Sequence, residues 1–243
     1  MWWRWPTLRA WAIDVALDLA PDEVHCWSVP LGVPAGAFPG LFETLTQDER
    51  DRAARLRFER DRRRFVVARA ALRELLGRYV GTAPDQIRFA YNPSGKPELR
   101  PEYGCSLKFN LSHSADLGVI AVTWGSEIGV DVEQIRTSDF AEIARSFFAA
   151  SEIEQLSAVP AHLQARAFFS VWTRKEAYAK ARGDGLGDGP VTPRGTFFSL
   201  EPAPGYIGAV AIEGNGREAF YAAPYPQRVY GRYSLSRFAL LEK

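Results

Sequence analysis

Helical and strand-like periodicities alternate along this chain in an order that limits it to one fold class. In the stretch that opens at Thr46, Phe65, Ala68, Leu72, Leu75, Leu76 and Tyr79 recur at helical spacing and make one apolar stripe. Such a stripe needs a second layer to cover it. Thr46 followed by Glu49 carries the capping-box pattern that opens a helix, and Gly81 supplies the stop. Strand-like runs follow at residues 86–90, 106–111, 117–123 and 127–133, with Asn92-Pro93-Ser94-Gly95-Lys96-Pro97 as a turn. Two more helical stretches, 140–156 and 163–182, lead into strand-like runs at 197–200, 206–212, 219–222 and 233–240. Each half carries helices plus several strands, without the strict alternation of a doubly wound parallel sheet. The expected fold is α+β: two similar α+β subdomains (a pseudo-dimer), residues 1–126 and 127–243, with the active site in the cleft between them. No sequence repeat links the halves, so duplication rests on element content alone.

Charge and composition narrow the function. Lys and Arg number 30 against 29 Asp and Glu, a net charge of +1, which disfavours a nucleic-acid binder. The 46–78 stretch nevertheless holds eleven Arg against six acidic residues. That local excess reads either as a solvated helix face or as an anion-binding rim. Two cysteines, Cys26 and Cys105, are too few for a disulfide framework or a cysteine zinc site, and fit a reduced, cytoplasmic compartment. The longest uncharged run, residues 24–42, is broken by Pro30, Pro34 and Pro39, so no membrane span is expected. Asp14 and Asp18 interrupt any signal-peptide core behind the Trp-rich start.

Three motifs carry chemistry. In a strand, Gly129-Val130-Asp131-Val132-Glu133 turns Val130 and Val132 to the core and sets Asp131 and Glu133 together on the other face. Two such carboxylates repel unless a cation lies between them, and hard oxygen ligands suit Mg²⁺, with Mn²⁺ as a substitute. The same pattern suits a strand with one solvated face. In Trp172-Thr173-Arg174-Lys175-Glu176-Ala177-Tyr178-Ala179-Lys180, Glu176 and Lys180 share a helix face. They read either as a surface ion pair worth ~0.3–0.5 kcal/mol, or as a third metal ligand beside a cation aimed at a phosphate oxygen. Ser112-His113-Ser114, just after a strand-like run, suits a phosphate. A Ser/His hydrolase competes for these residues, but adjacent side chains on an extended segment point apart, and no Gly-x-Ser-x-Gly elbow is present. P-loop, zincin and dinucleotide-binding motifs are absent.

Taken in order, Gly95-Lys96-Pro97-Glu98-Leu99, Phe109-Asn110-Leu111-Ser112-His113-Ser114, the Gly129–Glu133 run and Trp172-x-x-Lys175-Glu176-Ala177-Tyr178-x-Lys180 resemble the 4′-phosphopantetheinyl transferases. The Arg-rich Arg60-Asp61-Arg62-Arg63-Arg64-Phe65 run is similar to the first half of that family, and the resemblance spans residues 46–186. The type it points to is the large monomeric one that acts on peptide, polyketide and fatty-acid synthase carriers. It implies a holo-[acyl-carrier-protein] synthase type reaction. The phosphopantetheine arm of coenzyme A moves to a serine of an apo acyl, peptidyl or aryl carrier protein, and 3′,5′-ADP leaves. By the same resemblance Asp131, Glu133 and Glu176 hold Mg²⁺, Glu176 is the general base, and Lys180 lies beside the transferring phosphate. Arg52, Gly95, Lys96, Asn110, Ser112, His113 and Lys175 fall at coenzyme A-binding positions. The expected carrier-docking surface is residues 136–148, where Arg136 and Arg145 accompany Phe140, Ile143, Phe147 and Phe148. Two other classes stay open: a non-catalytic coenzyme A or carrier-binding module, and a metal-dependent nuclease, which would bind DNA with steep salt dependence.

Overall fold

The computed structural model describes residues 17–137, 140–187, 189–190, 193–213 and 218–222. The elements in chain order are β1 (Glu23–Pro30), α1 (Phe38–Glu43), α2 (Gln47–Ala54), α3 (Glu59–Val80), β2 (Phe89–Tyr91), β3 (Pro97–Leu99), β4 (Leu107–Ser114) and β5 (Leu117–Trp124). After these come β6 (Ile128–Gln134), α4 (Ala141–Phe147), α5 (Ala150–Ala158), α6 (Ala161–Arg182), β7 (Thr196–Leu200), β8 (Tyr206–Ile212) and β9 (Glu218–Ala222). The expected strand at 233–240 lies outside the described residues. No described helix is long and apolar enough to cross a membrane.

The strand alternation builds four layers. In β1 and β5, Trp27, Val29, Ile120 and Val122 turn to one side and meet the apolar stripe of α3, including Ala68, Leu72, Leu75 and Leu76. On the opposite side, Val24, Cys26, Val119 and Ala121 pack against Ile128, Val130 and Val132 of β6 and Val210 and Ile212 of β8. Two sheets therefore lie face to face, ordered β4-β5-β1-β9 and β6-β8-β7. The outer face of the second sheet carries α6. Ala177 and Ala181 meet Ala209 and Ala211 there. Gly129 makes the approach closer still: a methyl group on it would stand 2.0 Å from the Ala177 carbonyl oxygen.

The architecture is α+β, and each sheet carries one 22-residue helix closed by a left-handed glycine, Gly81 on α3 and Gly183 on α6. Strand order differs between the sheets. The late strand β9 pairs parallel with β1, so a cut after residue 126 would leave the second sheet whole but take β9 out of the first.

The long helix expected over residues 46–78 is broken at residues 55–58 into α2 and α3. Along one continuous helix, Glu49 and Arg69 would stand about 30 Å apart. The break folds α2 back, and the Glu49 carboxylate receives Arg69 Nε at 2.6 Å and Arg73 Nε at 2.5 Å. Not every arginine of this stretch is solvated, since Arg69 and Arg73 are buried with Glu49. The 140–156 stretch also splits, because Phe148 is extended and Glu152 accepts the Ala149 N–H to start α5 anew.

Candidate active site

Strands β4 and β6 are edges of different sheets and share no backbone ladder. Side chains of β4 close the seam instead. Asn110 Oδ1 accepts the Val130 N–H at 2.9 Å, and Ser114 Oγ accepts the Gln134 N–H at 3.2 Å. These two residues satisfy backbone donors on an edge that would otherwise stay unpaired. Ser112, between them, donates its hydroxyl to Asp131 Oδ1 at 2.8 Å, and Ser114 donates to Glu133 Oε2 at 2.6 Å. The register of two neighbouring strands thus sets a hydroxyl beside each carboxylate.

Helix α6 completes the cluster from above. The small-residue contact at Gly129 brings its backbone down onto β6, and Lys180 reaches across. Its Nζ lies 2.6 Å from Asp131 Oδ1 and 2.9 Å from Ser112 Oγ. Glu176 sits one turn earlier on the same face. Desolvation pushes the Glu133 and Glu176 carboxyls above their usual range, and the neighbouring Asp131 charge adds to the push in each case. Lys180 opposes this at Glu176, and the Ser114 hydroxyl, Arg136 and Lys180 oppose it at Glu133, without cancelling it. Asp131 is buried, and its second oxygen, Oδ2, has no hydrogen-bond partner.

His113 stands exposed at the end of β4, between the two serines. Desolvation, then the Lys180 and Arg64 cations, hold its imidazole below the usual histidine range. Arg64 of α3 also donates twice to Asp116, at 3.0 and 2.8 Å. That pins the β4–β5 turn, in which Ala115 takes a φ of +47°.

Seven of the expected site residues are in or beside this cluster: Asn110, Ser112, His113, Asp131, Glu133, Glu176 and Lys180. Four are not. Arg52 lies exposed on α2, its guanidinium 5.7 Å above the Phe65 ring. Gly95 is the φ +81° corner of the turn after β2. Lys96 points to the end of α6, with Nζ 2.9 Å from Glu127 and 3.0 Å from the Ala181 carbonyl oxygen. Lys175 corrects the expectation most firmly. Its side chain is fully buried, paired with Glu152 Oε2 at 2.8 Å and set over the Phe148 ring. One residue from Glu176 on a helix is a 100° rotation, so Lys175 packs α6 onto α5 and cannot face the cluster. The sequence reading missed Ser114 as the partner of Glu133. The period-2 spacing of Asn110, Ser112 and Ser114 was the available signal.

Among the described residues, no three His, Cys, Asp or Glu side chains stand together in metal-ligating geometry. The donor set nevertheless fits a hard divalent cation. It offers an orphaned buried carboxylate oxygen on Asp131 and two carboxyls whose ionisation the present surroundings disfavour.

Comparison with known proteins agrees in both halves of the chain. Residues 127–225 match the model of the 4′-phosphopantetheinyl transferase superfamily, and residues 35–125 match that of the 4′-phosphopantetheinyl transferase N-terminal region. The 4′-phosphopantetheinyl transferase HetI of Nostoc sp. strain PCC 7120 is 39% identical over 217 residues, covering 82% of this chain and 92% of the relative. A putative 4′-phosphopantetheinyl transferase, slr0495 of Synechocystis sp. strain PCC 6803, is 36% identical over 69% of this chain and 68% of its own length. The 4′-phosphopantetheinyl transferase psf-1 of Bacillus pumilus is 37% identical over 58% of this chain and 59% of its own length.

Proposed function

Because the chain belongs to the 4′-phosphopantetheinyl transferase superfamily, we propose that it transfers the phosphopantetheine arm of coenzyme A to a carrier-protein serine in a Mg²⁺-dependent reaction. The observation that carries this reading is the Lys180 ammonium held between Asp131 and Ser112, with Asp131 Oδ2 left without a partner. Asp131, Glu133 and Glu176 would hold the Mg²⁺, which when bound offsets charge on the pyrophosphate.

The protein's own groups supply the rest. Glu176, whose carboxyl titrates above the usual range, suits a general base that takes the proton of the carrier serine. The serine oxygen forms a new bond to the phosphorus that bears the pantetheine arm. The bond from that phosphorus to the bridging oxygen breaks, and 3′,5′-ADP leaves with the electron pair. Lys180 faces the charge that grows on the phosphoryl oxygens. The His113 ring, exposed beside this cluster, offers a donor to a coenzyme A phosphate, and the Ser112 hydroxyl, which here donates to Asp131, would reach one only by turning its proton away from that carboxylate. An incoming phosphate would draw a proton onto His113 and reverse its depressed basicity.

The carrier would dock beside α4, where Arg136 and Arg145 are exposed and Ile143 is 39% exposed. The aromatics expected there pack inward instead. Phe148 is buried, and Phe140 stacks on Phe168 with ring centroids 4.5 Å apart. Steering of an acidic carrier helix thus falls to the two arginines. The test is incubation with coenzyme A, Mg²⁺ and an apo carrier protein, followed by mass spectrometry. A gain of roughly 340 Da marks transfer of one arm; an unmodified carrier across a panel of acyl, peptidyl and aryl carriers would refute the reading.

A further inference from the structure

The C-terminal end of α6 is held by a device from the other half of the chain. The last carbonyls of a helix have no donor within it. On α6 the Ala181 carbonyl accepts from Lys96 Nζ at 3.0 Å, and the Gly183 carbonyl accepts from Asn92 Nδ2 at 3.3 Å. Both donors sit on one tight turn. Asn92 Oδ1 accepts the N–H groups of Ser94 at 3.0 Å and Lys96 at 2.8 Å, so the residue that reaches α6 also fixes the shape of the turn. Glu127, just before β6, holds Lys96 Nζ from the other side at 2.9 Å, and Lys108 pairs with the same carboxylate. The Lys96 side chain is only 9% exposed. The fit at the helix end is close. Gly183 has a φ of +73°, and a methyl group on it would meet Asn92 Nδ2 at 2.6 Å.

Toward this end of α6 the layer against the second sheet is made of small residues, with Gly129, Ala177, Ala181, Ala209 and Ala211 in contact, while the larger Phe168, Phe169 and Ile207 pack nearer the start of the helix. Small residues allow close approach but give little resistance to sliding along the helix axis. A cation and an amide at the last carbonyls do resist it, and the cation also complements the helix dipole. Lys180 is the neighbour of Ala181, so the position of this helix end sets the reach of its ammonium to Asp131 and Ser112.

We infer that Asn92 and Lys96 are positioning residues: with Glu127 they form a clasp on the end of α6 that sets Lys180 and Glu176 against Asp131. This rests on the reading of that cluster as the transfer site. It also gives Lys96 a duty different from direct binding of a coenzyme A phosphate.

Two readouts test the clasp: hydrogen–deuterium exchange along α6, and steady-state kinetics with coenzyme A and an apo carrier. In Lys96→Met and in Asn92→Ala, amides in the last turn of α6 should exchange about tenfold faster, with the first turns unchanged. In the same variants kcat should fall about tenfold while the KM for coenzyme A stays within about twofold. Lys96→Arg, which keeps a cation at the carbonyl, should restore most of both. If Lys96→Met does not fold, Glu127→Gln keeps the shape and removes the countercharge, and should move both readouts in the same direction by about threefold. A raised KM with unchanged kcat and unchanged α6 exchange would overturn the clasp and return Lys96 to phosphate binding. Absence of transfer by the wild type would sink the transferase reading, and the exchange arm would then decide the clasp alone.

Discussion

Each half of the chain gathers charge against a 22-residue helix, buried on α3 as Glu49, Arg69 and Arg73, and half-open on α6, where Asp131 is buried but Glu133, Glu176 and Lys180 are not fully so. Under α3 one carboxylate faces two guanidinium groups. Glu49 also accepts the Thr46 N–H, and Arg73 donates three further protons, to the Pro84 and Ile87 carbonyls and to Thr46 Oγ1. Tyr91 and the Phe89 ring complete the surroundings of Arg69. Under α6 three carboxylates share one closely paired ammonium, with Arg136 acting on Glu133 alone; one buried oxygen lacks a partner, and two of the carboxyls resist ionisation. A charge cluster matched by its own countercharge inside the protein has little to offer a ligand. One left short of positive charge is built to receive a cation and the phosphates that come with it.

The largest expected effect breaks the first cluster. Glu49→Gln leaves two buried arginines without their countercharge and should cost about 3–5 kcal/mol of stability. That is a drop in Tm of roughly 10 °C. Transfer per folded molecule should change little, as a thermal melt alongside single-turnover kinetics would reveal. Asp131→Asn should do the reverse. Transfer should fall by roughly a hundredfold or more through the lost metal and Lys180 contacts, with Tm moving only a few degrees. If the two substitutions affect stability and turnover alike, the contrast between the clusters has no functional meaning.

A smaller effect sharpens the contrast. A carboxyl whose pKa is raised in the folded protein favours folding while protonated and opposes it once ionised. Glu176→Gln mimics the protonated form and should raise Tm by roughly 2 °C at neutral pH. The gain should vanish below about pH 4, where the glutamate is protonated in the unfolded chain too. Melts between pH 4 and 8 would show it, and a pH-independent difference would mean that Glu176 is not strained by its neighbours.

Local pattern made parts of this legible from sequence and left others hidden. Period-2 alternation gave β6 and the shared face of Asp131 and Glu133, and helical spacing gave the common face of Glu176 and Lys180. Residue order alone could not tell which Arg of the 46–78 stretch is buried. That depends on the fold-back at residues 55–58, a tertiary choice driven by Glu49. Lys175 shows the same limit from the other side. It stands next to Glu176 in a motif, yet its partner, Glu152, lies on a separate helix and turns it away from the site. The Lys96 and Asn92 contacts with the end of α6 join residues 85 and 91 positions apart, and no local signal reports them.

The most direct measurement is electron paramagnetic resonance of Mn²⁺ bound to the protein with coenzyme A present, in the wild type and in Asp131→Asn. The wild type should hold one tightly bound ion per chain, displaced by Mg²⁺, and Asp131→Asn should lose it while remaining folded. Equal Mn²⁺ binding by the two proteins would contradict this assignment of the metal site.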